Sequence, residues 1–255
     1  MKYYRRESMP EYIWGRNPIV ETLHSKRPIK RILLAEGQRE ASALAIIVQE
    51  ATRRHVPIET VPRSRLDQLS RGAVHQGCLA VVEARSYATV DDILAEAERK
   101  NEPPFLLILD SLQDVNNLGS LLRTAEAAGV HGAIIPEHRA AEVNATVIKT
   151  SAGATEHLLI AQETNLTRTI EFLKSQNIWV VGLAGEAKTE YNQANLTGAL
   201  ALVVGNEGKG ISRLVREHCD LLIKLPMRGQ VNSLNAAVAG SIALYEALRQ
   251  REKTT

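Results

Sequence analysis

From residue 105 onward the chain alternates short, unbroken apolar runs with longer segments whose apolar residues recur every three or four positions. The runs at 105–110, 132–136, 158–161, 178–183, 200–204 and 221–225 predict strands buried on both faces, because a half-wet strand would alternate apolar and polar residues. Helical patterns lie between most of them, at 118–128, 165–176, 211–218 and, longest, 233–250. In the first, Leu118, Leu121, Leu122 and Ala125 form one stripe and Gly129 is the stop. Strands alternating with helices fold as a parallel sheet covered on both faces. Ligands of such sheets gather at the carboxyl ends of the strands.

The residues before this rhythm predict a smaller α/β unit. It has helices at 17–23, 41–54 and 64–69 and strands at 29–35, 56–61 and 78–82, the middle strand interrupted by Pro57. The charged stretch 85–102 carries no strand pattern and ends in Pro103-Pro104. The expectation is therefore a domain over 1–85, a linker over 86–103 and a second domain over 104–255. A chain of 255 residues has room for both. Charge separates them too. Residues 1–85 hold 15 Lys/Arg against 9 Asp/Glu, a balance of +6, whereas the remainder holds 16 against 20, a balance of −4. A basic module on an acidic body suits a polyanion such as RNA; solvated helix faces would give the same count.

No apolar run reaches the ~18–20 residues of a membrane span. The basic N-terminus (Lys2, Arg5, Arg6) is followed by no apolar secretion segment. Cys78 and Cys219, the two cysteines, exclude a disulfide framework and fit a reducing compartment. Cytoplasmic residence is the expectation. His75 and Cys78 have the spacing of half a zinc site, but the adjacent His218 and Cys219 do not repeat it, so no metal is expected.

Three polar, glycine-rich loops follow strands. In the first, 110–123, Asn117 reads as an N-cap, and Arg123 as either a solvated residue or a fork that holds two oxygens of a phosphate or hydroxyl. The second, Gly205-Asn206-Glu207-Gly208-Lys209-Gly210, fails both common phosphate templates. Two residues rather than four separate its first glycine pair, and Arg213 stands where the third glycine of a dinucleotide loop belongs. Glu207 would repel a phosphate, so a ligand carrying a cationic centre fits better. The third loop runs over 226–235, where Asn232 or Ser233 could cap the last helix. That helix opens with Ala236, Ala237, Ala239, Gly240 and Ser241, small enough to let backbone approach it from all sides.

Taken together the loops resemble the three motifs of the SpoU branch of the SPOUT methyltransferases, the family that includes TrmH. Asn117-Leu-Gly with Arg123-Thr-Ala resembles the first motif, Gly205-Asn-Glu-Gly-Lys-Gly the second, and Leu225-Pro-Met with Ser233-Leu-Asn235 the third. Trp14-Gly-Arg-Asn-Pro18 and His75-Gln-Gly77 resemble the substrate-binding domain of ribosomal RNA members. The resemblance implies an α/β fold of two domains. One is small, RNA-binding and like certain ribosomal proteins; the other is a parallel-sheet domain with a deep trefoil knot, where general topology rules would give an open sheet. It further implies S-adenosylmethionine bound by backbone at Gly205, Leu225 and Leu234. Asn117, Arg123, Glu207, Ser233 and Asn235 become the catalytic residues, and the catalytic domain forms a homodimer. The implied reaction is 2′-O-ribose methylation of 23S ribosomal RNA, at a guanosine near the peptidyl-transferase centre. A ribosomal adenosine, a transfer RNA, or a non-catalytic role in ribosome assembly are the alternatives.

Overall fold

A computed structural model of the chain describes residues 11–37, 42–138 and 140–253. Ala41, the start of one expected helix, and the basic residues Lys2, Arg5 and Arg6 lie outside the described residues. The chain divides into two compact units. The first contains the residues up to Ser86 together with Val143–His157, and the second contains Tyr87–Glu142 and the residues from Leu158.

The first unit begins with β1 (Glu11–Trp14), α1 (Arg16–His24), β2 (Ile29–Ala35), α2 (Ser42–Arg53), β3 (Ile58–Val61), α3 (Arg63–Leu69) and β4 (Cys78–Val82). Its sheet runs β1-β4-β2-β3, with β4 antiparallel to both neighbours and β3 parallel to β2. All five residues of β4 are buried, which explains the unbroken apolar run there. Much of the basic surplus works inside this unit. One guanidinium nitrogen of Arg54 donates to the carbonyls of Thr22, Leu23 and Ser25 at 3.0, 2.8 and 3.0 Å, closing the C-terminus of α1.

The second unit holds α4 (Val90–Lys100), β5 (Phe105–Asp110), α5 (Val115–Ala127) and β6 (Gly132–Pro136). After β6 the chain contributes α6 (Ala145–Thr150) and a 3-10 turn (Ala154–Glu156) to the first unit. There the Glu156 carboxylate, 1% exposed, pairs with both Arg27 and Arg85. The second unit resumes with β7 (Leu159–Glu163), α7 (Leu166–Ser175), β8 (Trp179–Leu183), β9 (Thr189–Glu190), β10 (Leu200–Gly205), α8 (Arg213–His218), β11 (Leu221–Lys224) and α9 (Ala236–Glu252). Its sheet has the order β7-β6-β5-β10-β8-β11-β9, and every pairing is parallel. The chain builds outward from β5 through β6 to β7 and then to the opposite side through β8 and β10. The switch point of the sheet thus lies between β5 and β10, where such folds bind ligands.

Four expectations need correcting. Residues 86–103, read as a linker, contain α4, opened by a capping box between Thr89 and Asp92. Val90, Ile93 and Ala97 form a buried stripe that the surrounding charges concealed, and Val90 and Ile93 share a core with Ile108, Ile134 and Ile170. The N-cap of α5 is Asp114, not Asn117, since its side chain accepts from the amides of residues 116 and 117. The N-cap of α9 is Asn235, not Asn232 or Ser233. Finally, α9 is enclosed on one side only. A Cβ on Gly240 would meet Leu121 at 2.8 Å, while Val238, Ile242 and Tyr245 remain 48%, 37% and 51% exposed.

If α4 belongs to the core, Ile93→Ala should destabilise the protein by about 2–5 kcal/mol in urea denaturation, the range for emptying a packed aliphatic site. A linker position would change by about 0.5 kcal/mol or less. A second test concerns His131, which is buried in this unit. Its Nδ1 accepts from the Phe105 amide at 3.0 Å and its Nε2 faces Glu102 at 3.1 Å. Burial above all, then Lys100, lowers its pKa in the fold below the ordinary 6.5, while Glu102 works the other way. The neutral ring is therefore favoured by folding. Its stabilising contribution is complete above the unfolded pKa and drains as pH falls toward the lower folded value. Stability should fall as pH drops through and below the ordinary imidazole value of 6.5, and His131→Gln, which can still accept from Phe105, should flatten that fall.

Candidate active site

Gly205 of β10 stands in register with Asp110 of β5, so both strands end together at the switch point. Asp110 is 4% exposed. One carboxylate oxygen accepts from the Ser212 amide at 2.6 Å and the other from the Ser111 hydroxyl at 3.1 Å, tying the entry of α8 to the end of β5. The chain folds back so tightly after β10 that a Cβ on Gly205 would lie 2.2 Å from backbone atoms of Gly210 and Ile211. Only glycine fits there.

Asn206 builds the loop that follows. Its backbone exchanges hydrogen bonds with Gly210 at 3.0 and 2.9 Å. Its side-chain oxygen accepts from the amides of Gly208 and Lys209 at 3.0 and 3.3 Å, and its amide nitrogen donates to the Ser111 carbonyl at 3.0 Å. The amides that would cradle a phosphate in a P-loop are thus engaged by the loop itself.

A chain of side-chain hydrogen bonds joins the three loops. The amides of Ala237 and Val238, at the start of α9, donate to the Asn235 oxygen at 2.9 and 3.2 Å. The Asn235 nitrogen donates to the Asn117 oxygen at 2.8 Å, and the Asn117 nitrogen donates to Glu207 at 2.8 Å. Because backbone amides only donate and a carboxylate only accepts, each carboxamide has one workable orientation.

Beside this chain lies a cavity of about 330 Å³. Gly205, Leu225 and Leu234 all line it, as do Glu207, Ser233, Glu186, Lys209, Lys224 and Met227. The expected cofactor residues therefore share one cavity, and Asn117, Glu207 and Asn235 are brought into one network. Ser233 faces the cavity but has no side-chain hydrogen bond among the described residues. Arg123 is exposed on α5, outside the lining, and its side chain likewise has no partner among the described residues. Sequence reasoning missed Asp110, Asn206 and Glu186. An acid that ends an apolar strand was the available signal for Asp110; Asn206 and Glu186 carried none.

Both thiols are unsuited to nucleophilic chemistry. Burial pushes Cys78 up to about 11, and burial with Asp220 pushes Cys219 up to about 12. His75 uses both ring nitrogens within the protein, one accepting from the Gly77 amide and the other facing Asp67, each at 3.0 Å.

Comparison with known proteins places this architecture. The model of the SpoU rRNA methylase family matches residues 104–245, and that of the RNA 2′-O ribose methyltransferase substrate-binding domain matches residues 12–88. The chain belongs to the SpoU rRNA methylase family, and it is an enzyme of RNA 2′-O-ribose methylation. It is 47% identical over 241 residues to YacO of Bacillus subtilis, named for the TrmH family of tRNA/rRNA methyltransferases, covering 94% of this chain and 96% of the relative. It is 45% identical over 248 residues to the 23S rRNA (guanosine-2′-O-)-methyltransferase RlmB of Escherichia coli, covering 95% of this chain and 100% of the relative. Among solved structures, the SpoU methyltransferase AviRb of Streptomyces viridochromogenes, in complex with AdoMet, superposes with a TM-score of 0.79 at 24% identity, over 95% of this chain and 90% of its own. The TrmH/SpoU tRNA-modifying enzyme of A. aeolicus, 26% identical, reaches 0.54 over 64% of this chain and 85% of its own.

Gly205→Ala and Gly185→Ala test the loop geometry within one cavity wall. The first forces a methyl group into backbone and should cost about 1–3 kcal/mol or more. The second meets nothing within 4 Å and should stay within about 0.5 kcal/mol of wild type in the same urea titration.

Proposed function

We propose that the protein methylates a ribose 2′-hydroxyl of 23S ribosomal RNA, at a guanosine near the peptidyl-transferase centre. The observation that carries this reading is the hydrogen-bonded chain from α9 through Asn235 and Asn117 to Glu207, which draws the three motif loops together beside one cavity. The full-length likeness to the Escherichia coli 23S rRNA enzyme supports the substrate. The tRNA-modifying enzyme of A. aeolicus matches only 64% of this chain. Residues matched to the substrate-binding domain, 12–88, are the part assigned to RNA recognition.

The methyl donor is S-adenosylmethionine, which when bound supplies an electrophilic methyl group on a cationic sulfur. The residues present fit it. The cavity is lined by Gly205, Leu225 and Leu234, the residues whose backbone is assigned to the donor, includes Glu207 in its wall, and offers no phosphate cradle. Arg123 is the group assigned to the substrate. A guanidinium is too weak a base to take the hydroxyl proton unaided, but its planar fork can hold the hydroxyl and a neighbouring phosphate together. Asn117, Glu207, Ser233 and Asn235 keep the reacting pair in line.

The assembly proposed is a homodimer through the second unit. Val238, Ile242 and Tyr245 lie on one stripe of α9 and form an exposed apolar face suited to a second copy. The proposed topology is the deep trefoil knot of the family, supported by the close packing of α9 on α5 and β10. The proposed location is the cytoplasm; among the described residues no helix is long and apolar enough to cross a membrane.

Arg123→Ala should lower the single-turnover methylation rate by about 10²–10³, the usual loss for one contact made in the transition state, with little change in donor affinity. Arg123→Lys should not restore it, because an ammonium cannot hold both groups in one plane. Wild-type rates in both variants would return Arg123 to the solvated surface, and mapping of 2′-O-methyl sites in ribosomal RNA with and without the protein decides the target.

A further inference from the structure

We infer that Glu207 makes the site select the cationic methyl donor over its neutral thioether product, so that the charge lost on transfer helps the spent cofactor leave. The inference rests on the donor assigned above and concerns a property that assignment does not contain. Two carboxylates line the cavity, Glu186 and Glu207. Glu186 is neutralised by an ion pair with Arg216. Glu207 instead accepts from a neutral carboxamide, that of Asn117, and has no cationic partner among the described residues. Its negative charge is therefore held in place without being cancelled.

The hydrogen-bonded chain explains how. Asn117 presents a nitrogen to Glu207 because its oxygen is occupied by Asn235, whose own oxygen is occupied by two backbone amides of α9. Every donor in the series points toward the carboxylate. On the other side, Asn206 engages the amides of Gly208 and Lys209, so they do not offset that charge from within the loop. Lys209 and Lys224 also line the cavity; their ammonium groups attract the tail carboxylate common to donor and product and act on the sulfonium with the sign opposite to Glu207. Methyl transfer changes only the sulfur, from a sulfonium to a thioether. An uncancelled carboxylate lining the cavity registers that change in favour of the donor.

Glu207→Gln removes the charge and keeps the geometry, since the glutamine oxygen can still accept from Asn117. Calorimetric titration of wild type and variant with three probes reads the effect. S-adenosylmethionine carries the sulfonium, sinefungin an ammonium in its place, and S-adenosylhomocysteine no charge there. The variant should bind the two cations about tenfold more weakly, a modest loss because Glu207 is solvent-exposed, and the thioether within about twofold of wild type. Unchanged thioether binding also certifies that the variant is folded. Equal changes for all three ligands, or no change for any, overturn the inference while leaving the donor assignment standing. Failure of wild type to bind any of the three overturns the donor assignment, and the inference with it.

Discussion

The hydrogen bond between Asn235 and Asn117 is the constraint on which the site depends. The two residues are separated by 118 positions in the chain and come from different motif loops, yet their carboxamides meet at 2.8 Å. Neither could be oriented alone. Asn235 is fixed by the open amides of α9, the unsatisfied donors that every helix presents at its N-terminus. Asn117 is fixed because Asp114 already caps α5, leaving its side chain free to look across to the other loops. Capping by Asp114 thus releases the very residue that the sequence suggested as the cap, and that release lets three loops close on one carboxylate.

Sheet topology makes this meeting possible. Parallel strands put all their carboxyl ends on one edge, and the reversal of winding direction between β5 and β10 opens a crevice at that edge. Asp110 and Gly205 are the last residues of those two strands. One anchors the start of α8 through its carboxylate, and the other yields the space for the loop to return. A side chain at 205 or a neutral group at 110 would move the Asn206 loop, and with it Glu207. The second unit therefore carries its stiffness where the loops begin, at Asp110 and Gly205.

How much of this the sequence discloses depends on whether a residue's partner is local. The strands of the parallel sheet are legible because burial on both faces leaves continuous apolar runs, as at Phe105–Asp110 and Leu200–Gly205. The motif loops are legible as a set through family resemblance. The stripe of α4 was not, because Val90, Ile93 and Ala97 share the helix with six charged residues and the prolines that follow look like a boundary. Nor was the excursion Val143–His157. Glu156 belongs to the first unit only because Arg27 and Arg85, 129 and 71 positions away, close on its carboxylate. Asn206 has the same character in miniature: nothing in the loop sequence marks it until its three side-chain partners are seen.

Charge shows the same gap between composition and function. The +6 balance of residues 1–85 invites an RNA-binding reading, but Arg27 and Arg85 are held by Glu156, and Arg54 closes a helix end. These guanidiniums stabilise the small unit by satisfying groups that would otherwise be buried unpaired, and a charge so engaged contributes little to capturing a phosphate backbone. The cations left for a polyanion are those on the exposed faces, such as Lys30, Arg63, Arg65 and Arg71. Net charge alone thus overstates the attraction. In the second unit the opposite holds. There a single carboxylate, Glu207, gains significance because its neighbours leave it uncancelled, so the arrangement of partners, more than the count of charges, determines what each unit can recognise.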